Sequence, residues 1–160
     1  MLEKCRTAKE RWGGVSEIID NWLEQRSTLI SAFVHLPQHP VNEELVKTVE
    51  TFCGLLVDYL SSGHFEVYEQ LLREGSEFND GCVEEAQELF PKIQVSTDIA
   101  LDFNDVYATA DVFTVRMVQD MAVKLSELGE QLEERFALED QMIEVLHNSH
   151  ADLVSEAEEG

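Results

Sequence analysis

The sequence lacks the features that mark secreted, disulfide-stabilised or membrane-spanning proteins. Its three cysteines, Cys5, Cys53 and Cys82, are widely spaced and include no Cys-x-x-Cys pair, which favours a reducing compartment. No apolar run approaches the roughly 18 residues that span a membrane, and the N-terminal MLEKCRTAKERWGG lacks the apolar centre of a signal peptide. We therefore expect a cytoplasmic protein that does not associate with membranes.

Basic residues are also scarce. The 160 residues contain 11 Lys and Arg against 33 Asp and Glu, which gives a formal net charge of −22. Phosphate backbones repel such a protein, so we predict no direct binding of nucleic acid. Its field attracts basic partners instead and accelerates their encounter. An acidic surface that serves only solubility would give the same composition.

The motifs of nucleotide-binding enzymes are missing as well. Neither Gly-x-x-x-x-Gly-Lys-Ser/Thr nor Gly-x-Gly-x-x-Gly occurs, so no loop is suited to cradle phosphate groups. No motif marks a nucleophile that is activated by a base, and Ser61 and Ser62 stand at a predicted helix end, where serine is ordinary. We predict no catalytic residue and no enzyme activity.

One Glu-x-x-His, from Glu144 to His147, is the best candidate for a metal site. Di-iron bundles use two such motifs and a glutamate from each of two further helices, and the second motif is missing here. A histidine near a helix C-terminus also simply complements the helix dipole. We predict no metal and no cofactor, with a metal-binding bundle of the di-iron type as the alternative.

The apolar residues recur at helical spacing, and no β-alternation of useful length occurs. This pattern predicts an all-α antiparallel helical bundle with long first and last helices, as one domain over residues 1–150. The acidic residues 151–160 form a tail that we expect to be frayed. Pro37 and Pro40 should end the first helix, Asn42 could cap the second, and Pro91 should break a later helix.

The segment TFCGLLVDYLSSGHFEVYEQ, residues 51–70, is the most informative part of the chain. Phe52, Leu56 and Leu60 form one apolar helical face, and Gly63 suits the left-handed position that closes a helix. We expect a corner there, followed by a short helix after Gly63. Two core helices meeting at a corner would explain the apolar face, but the segment carries more polar groups than a corner requires.

Charged residues in the run LEERFALED, residues 132–140, allow two interpretations. Arg135 and Glu139 are four positions apart, which is typical of an ion pair on a solvated helix face. Arg135 could equally pair with Asp58 or Glu69 inside the bundle.

Three stretches together resemble the bacterial regulator-of-sigma-D family (Rsd and AlgQ), in its Pseudomonas-type branch. They are LEKCRTAKERWGGVSEIIDNWLEQR in the first helix, FCGLLVDYLSSGHFEVYEQL in the centre and LSELGEQLEERFALEDQMI in the last helix. The segment from Gly75 to Gln119 and the tail after His147 match the family only in length and pattern.

The resemblance implies an anti-sigma factor, a helical bundle that binds region 4 of the primary sigma factor. It would block the −35 promoter and core polymerase contacts of that region and favour alternative sigma factors. In the AlgQ branch it implies regulation of alginate and siderophore genes. Other cytosolic protein partners, such as enzymes or phosphocarriers, remain a further possibility.

The resemblance also implies which residues bind sigma. Asp58 corresponds to the acid of the central signature that is implicated in sigma binding. Lesser contact or supporting roles fall on other residues of the two signatures: Tyr59, Ser62, His64, Phe65, Glu69, Arg135, Phe136 and Asp140.

Overall fold

The computed structural model describes residues 2–150, with side chains from Val15 to Ser149. Six α-helices form its framework: α1 (Leu2–His35), α2 (Glu44–Ser62), α3 (Tyr68–Ser76), α4 (Cys82–Gln87), α5 (Phe90–Tyr107) and α6 (Val115–Leu146). No strand occurs within 2–150, and the all-α prediction is confirmed. The tail expected to be frayed, 151–160, lies outside the described residues.

Short helical turns connect or extend several of these helices. A π-helical turn, Gly63–Val67, joins α2 directly to α3, and the two form one continuous rod. One 3-10 turn, Leu36–Gln38, follows α1, and another, Asn148–His150, follows α6.

The first helix runs antiparallel to both of its neighbours. Trp22 of α1 contacts Tyr59 of the α2–α3 rod, whereas Phe33, further along α1, contacts the earlier Phe52. Hydrogen bonds show that α1 and α6 are also antiparallel. Ser16 bonds to His147, whereas Arg26, later in α1, bonds to the earlier Asp140.

The helix α5 completes the bundle. Phe103 contacts Phe52, while the earlier Phe90 contacts the later Tyr68, so α5 is antiparallel to the α2–α3 rod. It is also antiparallel to α6, which begins beside the end of α5 and reaches the start of α5 at Arg135. The four rods α1, α2–α3, α5 and α6 therefore form the predicted antiparallel bundle.

The helix ends follow local chemistry. Pro37 lies in the 3-10 turn that follows α1, and Pro91 lies in the first turn of α5, where a missing N–H costs nothing. The Asn42 side chain accepts a hydrogen bond from the Glu44 N–H at 3.0 Å, at the start of α2. The helix end expected at Pro37 and the break expected at Pro91 are therefore confirmed, and Asn42 supplies a side-chain acceptor one residue before Glu43, the residue that precedes α2. The start of α6 is capped by Thr114, whose hydroxyl accepts from a backbone N–H at 3.1 Å.

The expected corner at Gly63 is wrong. Gly63 has φ −61° and ψ −54°, which is right-handed helical geometry, so the chain continues from α2 through the π turn into α3. A short helix does follow, from Tyr68. Glycine is favoured at position 63 for a different reason: a Cβ atom there would lie 3.0 Å from Cζ2 of the buried Trp22, which is a tight contact. The glycine permits close packing between α1 and the π turn.

Two alanine substitutions separate packing from helix propensity. Gly63→Ala should lower the free energy of unfolding by roughly 1–2 kcal/mol, because overpacking exceeds the gain in helix propensity. Trp22 cannot move aside easily, since it stacks on Tyr59 at 5.0 Å between ring centroids. Gly54→Ala is the control: no atom lies within 4 Å of its Cβ, and it should raise stability by about 0.4–1 kcal/mol. Urea unfolding of both variants measures their free energies of unfolding. A Gly63→Ala variant more stable than the wild type would contradict the proposed overpacking against Trp22.

Candidate functional site

A buried carboxylate, Glu139 of α6, lies at the centre of the bundle with no exposed surface. The Tyr59 hydroxyl donates to its Oε1 at 2.5 Å, and the Tyr68 hydroxyl donates to its Oε2. Arg135 adds a bond from Nε to Oε2 at 3.3 Å. These donors compensate for the loss of water around the carboxylate, which would otherwise be very costly to bury.

The π turn explains how both tyrosines reach one carboxylate. Tyr59 and Tyr68 are nine positions apart, which in a regular α-helix would place them about 180° apart, on opposite faces. The Tyr68 N–H bonds to the Gly63 carbonyl, five residues back, and this π turn accommodates one extra residue. With one residue taken up by the π turn, the two side chains lie about 80° apart around the helix axis instead of about 180°. Both hydroxyls therefore face α6. The turn therefore sets the geometry of the site.

Arg135 extends the network toward α5. Its Nη1 donates to Thr97 Oγ1 at 2.6 Å and to Ser96 Oγ at 3.1 Å, and its Nη2 donates to the Tyr68 hydroxyl at 3.0 Å. Only 1% of Arg135 is exposed. The interpretation of Arg135 and Glu139 as a solvated pair is therefore wrong.

The two other acids proposed as partners of Arg135 are not its partners. Glu69 is exposed and bonds to Arg73 instead, at 2.8 Å. Asp58 is also exposed, on the surface of α2. The expectation that Arg135 pairs with Asp58 or Glu69 inside the bundle is therefore wrong, because its ion-pair partner is Glu139 on its own helix.

Arg26 of α1 continues the network on the opposite side. Its Nε donates to the Tyr59 hydroxyl at 3.0 Å, and its Nη1 donates to Asp140 Oδ1 at 2.6 Å. The guanidinium carbon lies 4.8 Å from the ring centroid of Phe136 and 5.3 Å from that of Trp22, which is cation–π geometry. The polar network thus runs through the bundle from Asp140 at the surface to α5.

Burial shifts the proton affinities of the network in one direction. Burial raises the pKa of Glu139, against the opposing effects of the Arg135 charge and the two tyrosine hydroxyls. Burial, together with the neighbouring Glu139 charge, also raises the pKa values of Tyr59 and Tyr68 well above the usual range. The tyrosines therefore act as hydrogen-bond donors over the whole physiological range.

The residues predicted to bind sigma divide into an outer and an inner group. The outer residues are exposed, and Phe65, in the π turn, has 74% of its surface accessible. Of the inner residues, Tyr59 and Arg135 belong to the polar network, and Phe136 packs edge-on against Tyr59 at 5.6 Å between ring centroids. The outer group comprises Asp58, His64, Phe65, Glu69 and Asp140, and the inner group comprises the buried Tyr59 and Arg135 and the half-buried Ser62 and Phe136.

A groove of about 370 Å³ between α3 and α5 brings three of the predicted residues together. His64 and Glu69 line it from the α2–α3 rod, and Arg135 lines it from α6. Phe90 and Thr97 line it from α5. The inner network therefore reaches the surface beside the exposed part of the central signature.

Sequence reasoning missed three members of this network. Arg26, Tyr68 and the central role of Glu139 could not be recognised, because the contacts of Glu139 with Tyr59, Tyr68 and Arg26 join different helices. The available signal was the presence of arginines on apolar helix faces in a chain with few basic residues.

The proposed Glu-x-x-His motif is divided between surface and interior. Glu144 is exposed and bonds to Asn148 at 3.0 Å. His147 is buried, with Nδ1 2.8 Å from Glu74 Oε1 and Nε2 3.0 Å from Ser16 Oγ, so it links α6 to α3 and α1. Among the residues with described side chains, no three His, Cys, Asp or Glu side chains are placed to hold a metal ion.

No helix within the described part of the chain is long and apolar enough to cross a membrane. The described residues form a helical bundle in which an interior polar network lies beneath the π turn that exposes Phe65. An exposed aromatic side chain such as Phe65 is suited to anchor a protein partner.

Comparison with known proteins gives the family. Residues 1–147 match the family described as "Regulator of RNA polymerase sigma(70) subunit, Rsd/AlgQ". The "Regulator of sigma D" of Pectobacterium atrosepticum is 33% identical over 93% of this chain and 100% of that protein. The protein of the same name from Yersinia pseudotuberculosis serotype O:1b is 33% identical over 90% of this chain and 88% of its own length. No solved structure matches the chain. The chain belongs to the Rsd/AlgQ family.

Two Arg–Glu pairs, each four positions apart, allow a matched test of the network. Arg135→Ala should lower the free energy of unfolding by about 3–5 kcal/mol, because it removes the closer of the two arginines that pair with the buried Glu139 and leaves only Arg26, at 3.5 Å. Arg73→Ala removes the arginine of the exposed pair with Glu69 and should change stability by less than about 0.5 kcal/mol. Chemical unfolding measures both, and equal losses would contradict a structural role of the interior network.

All three tyrosines should resist ionisation in the folded protein. The pKa of Tyr107 is also raised, by burial and the Asp120 charge. The pKa values of the tyrosines in the folded protein exceed the unfolded value of about 10. The neutral tyrosines therefore stabilise the fold fully below pH 10, and this stabilisation is lost as the pH rises above 10. Near-ultraviolet absorbance should show tyrosinate only as the chain unfolds, whereas the chain in urea should titrate near pH 10. A native tyrosine that titrates near pH 10 would contradict this.

Proposed function

We propose that this chain is an anti-sigma factor that binds region 4 of the primary sigma factor. The observation that carries the proposal is the exposed Phe65 in the π turn, with Asp58, His64 and Glu69 exposed on the same α2–α3 rod. An accessible aromatic side chain is a typical anchor of a protein interface. The family and its regulators of sigma D support the choice of a sigma factor as the partner.

Charge supports the choice of region 4 within sigma. That region is a basic DNA-binding domain, and the net charge of −22 attracts a basic domain over a long range. Held in this complex, region 4 would lose its −35 promoter and core polymerase contacts. Polymerase would then become available to alternative sigma factors, including, in the AlgQ branch, those that serve alginate and siderophore genes.

The interior network gives the surface its shape. Tyr59 and Tyr68, fixed on Glu139, hold the chain on both sides of the π turn, and Phe65 lies between them. A surface that is ordered before binding loses less conformational entropy when the partner arrives. We therefore assign the inner group of signature residues a supporting role and the outer group a contact role.

Two aspartates distinguish a specific contact from general attraction. Asp58→Ala should weaken binding of sigma region 4 by roughly 30- to 4,000-fold, or about 2–5 kcal/mol, because it removes a carboxylate from a desolvated contact. Asp102→Ala removes an equal charge from an exposed position on α5 and should change affinity little. Calorimetric titration and thermal unfolding of the same preparations measure both effects. Wild-type affinity in a folded Asp58→Ala protein would remove Asp58 from the interface.

Salt should act mainly on the association rate. The Debye length falls from about 10 Å at 0.1 M salt to about 3 Å at 1 M, which screens the attraction before contact. Association with region 4 should therefore slow steeply with salt, while dissociation changes less. Stopped-flow kinetics over this range provide the measurement, and an association rate independent of salt would contradict electrostatic steering.

A further inference from the structure

A second surface lies at the end of the bundle where α2 and α6 begin. Its centre is the ridge formed by residues 36–39, which comprises the 3-10 turn after α1 and His39. Leu36 and His39 line a groove on each side of this ridge. Both grooves have a largely apolar lining, and the second also carries charged side chains.

The first groove, of about 320 Å³, is apolar. Phe33, Val118, Met121 and Leu125 line it together with the exposed Ala122. Such a lining is suited to aliphatic side chains of a partner. Exposed aliphatic residues continue around this end of the bundle: Val34, Val41, Val112 and Val115.

The second groove, of about 640 Å³, is acidic where α2 begins. Glu43 and Glu44 line it there, and both are exposed. Lys47, one turn further along α2, also lines it, together with His35 and His39. The ridge thus separates an apolar groove from a groove whose edge is suited to cations.

We infer that this ridge binds a basic amphipathic helix of a protein partner. Its aliphatic side chains would enter the groove beside Met121, and its lysine or arginine side chains would face Glu43 and Glu44. A helix presents both kinds of side chain on adjacent faces, which matches the two grooves. A second copy of this chain fits poorly, because two proteins of net charge −22 repel one another.

The ridge is separate from the surface proposed for sigma region 4. It lies at the start of α2, whereas Asp58 and Phe65 lie in the last two turns of α2 and beyond it. Along α2, Glu44 and Asp58 are 14 residues apart, which corresponds to about 21 Å. The inference therefore goes beyond the proposed function and can fail independently of it.

The test uses the full chain and a synthetic amphipathic peptide of leucine and lysine. A scrambled peptide of the same composition, without an amphipathic helix, is the control. In a nuclear magnetic resonance titration, the amphipathic peptide should shift the backbone signals of Leu36, His39 and Ala122. The scrambled peptide should bind at least about tenfold more weakly.

Two variants with the same added charge separate docking from attraction. Ala122→Glu places a carboxylate in the apolar groove and should weaken the amphipathic peptide at least about tenfold. Ala137→Glu adds the same charge at an exposed position of α6 outside the groove and should bind like the wild type. Simple attraction to an acidic protein predicts the opposite, with both variants binding at least as tightly as the wild type.

Three outcomes would overturn the inference: equal binding by the two variants, equal binding of the two peptides, or signal shifts centred on Asp58 and Phe65. Binding of sigma region 4 should be unchanged in Ala122→Glu. Loss of that binding in a folded variant would show that the two surfaces are one and would overturn the separate site.

Discussion

The buried carboxylate of Glu139 is the constraint on which much of this bundle depends. A carboxylate without water must be paired and hydrogen-bonded, and its donors come from α2, α3 and its own helix. Arg26 of α1 adds a charge 3.5 Å from the same group. Tyr59 and Tyr68 can both reach Glu139 because the π turn between them changes the helical phase. A polar contact in the interior therefore dictates the backbone geometry at the surface.

One backbone segment, the π turn, links the interior network to the exterior of the bundle. The π turn that brings Tyr68 to Glu139 is also the segment that exposes His64 and Phe65. Gly63 allows Trp22 to pack against the same turn. The exposed His64 and Phe65 therefore rest on a backbone that is held from the inside.

The acidic and basic residues differ in their distribution between the surface and the interior of the bundle. The surface carries most of the acidic excess, while Arg26 and Arg135 lie in or beside the polar network of the interior. The acidic exterior suits a basic partner, and the interior arginines offset the carboxylate that the fold buries. The net charge alone indicates that the exterior suits a basic partner, but it could not reveal that two arginines offset a buried carboxylate.

The sequence by itself determined the helices, most of their ends and the acidic character. Apolar spacing, Pro37, Asn42 and Pro91 act over a few residues, so the sequence alone makes them visible. The tertiary structure decided which charged residues are buried. Arg135–Glu139 and Arg73–Glu69 have the same spacing in sequence, yet only the first pair lies where the helical rods meet. The tertiary structure also decided that the chain forms a π turn at residues 63–67. This turn directs Tyr68 toward the Glu139 carboxylate, which lies 71 positions further along the chain on α6.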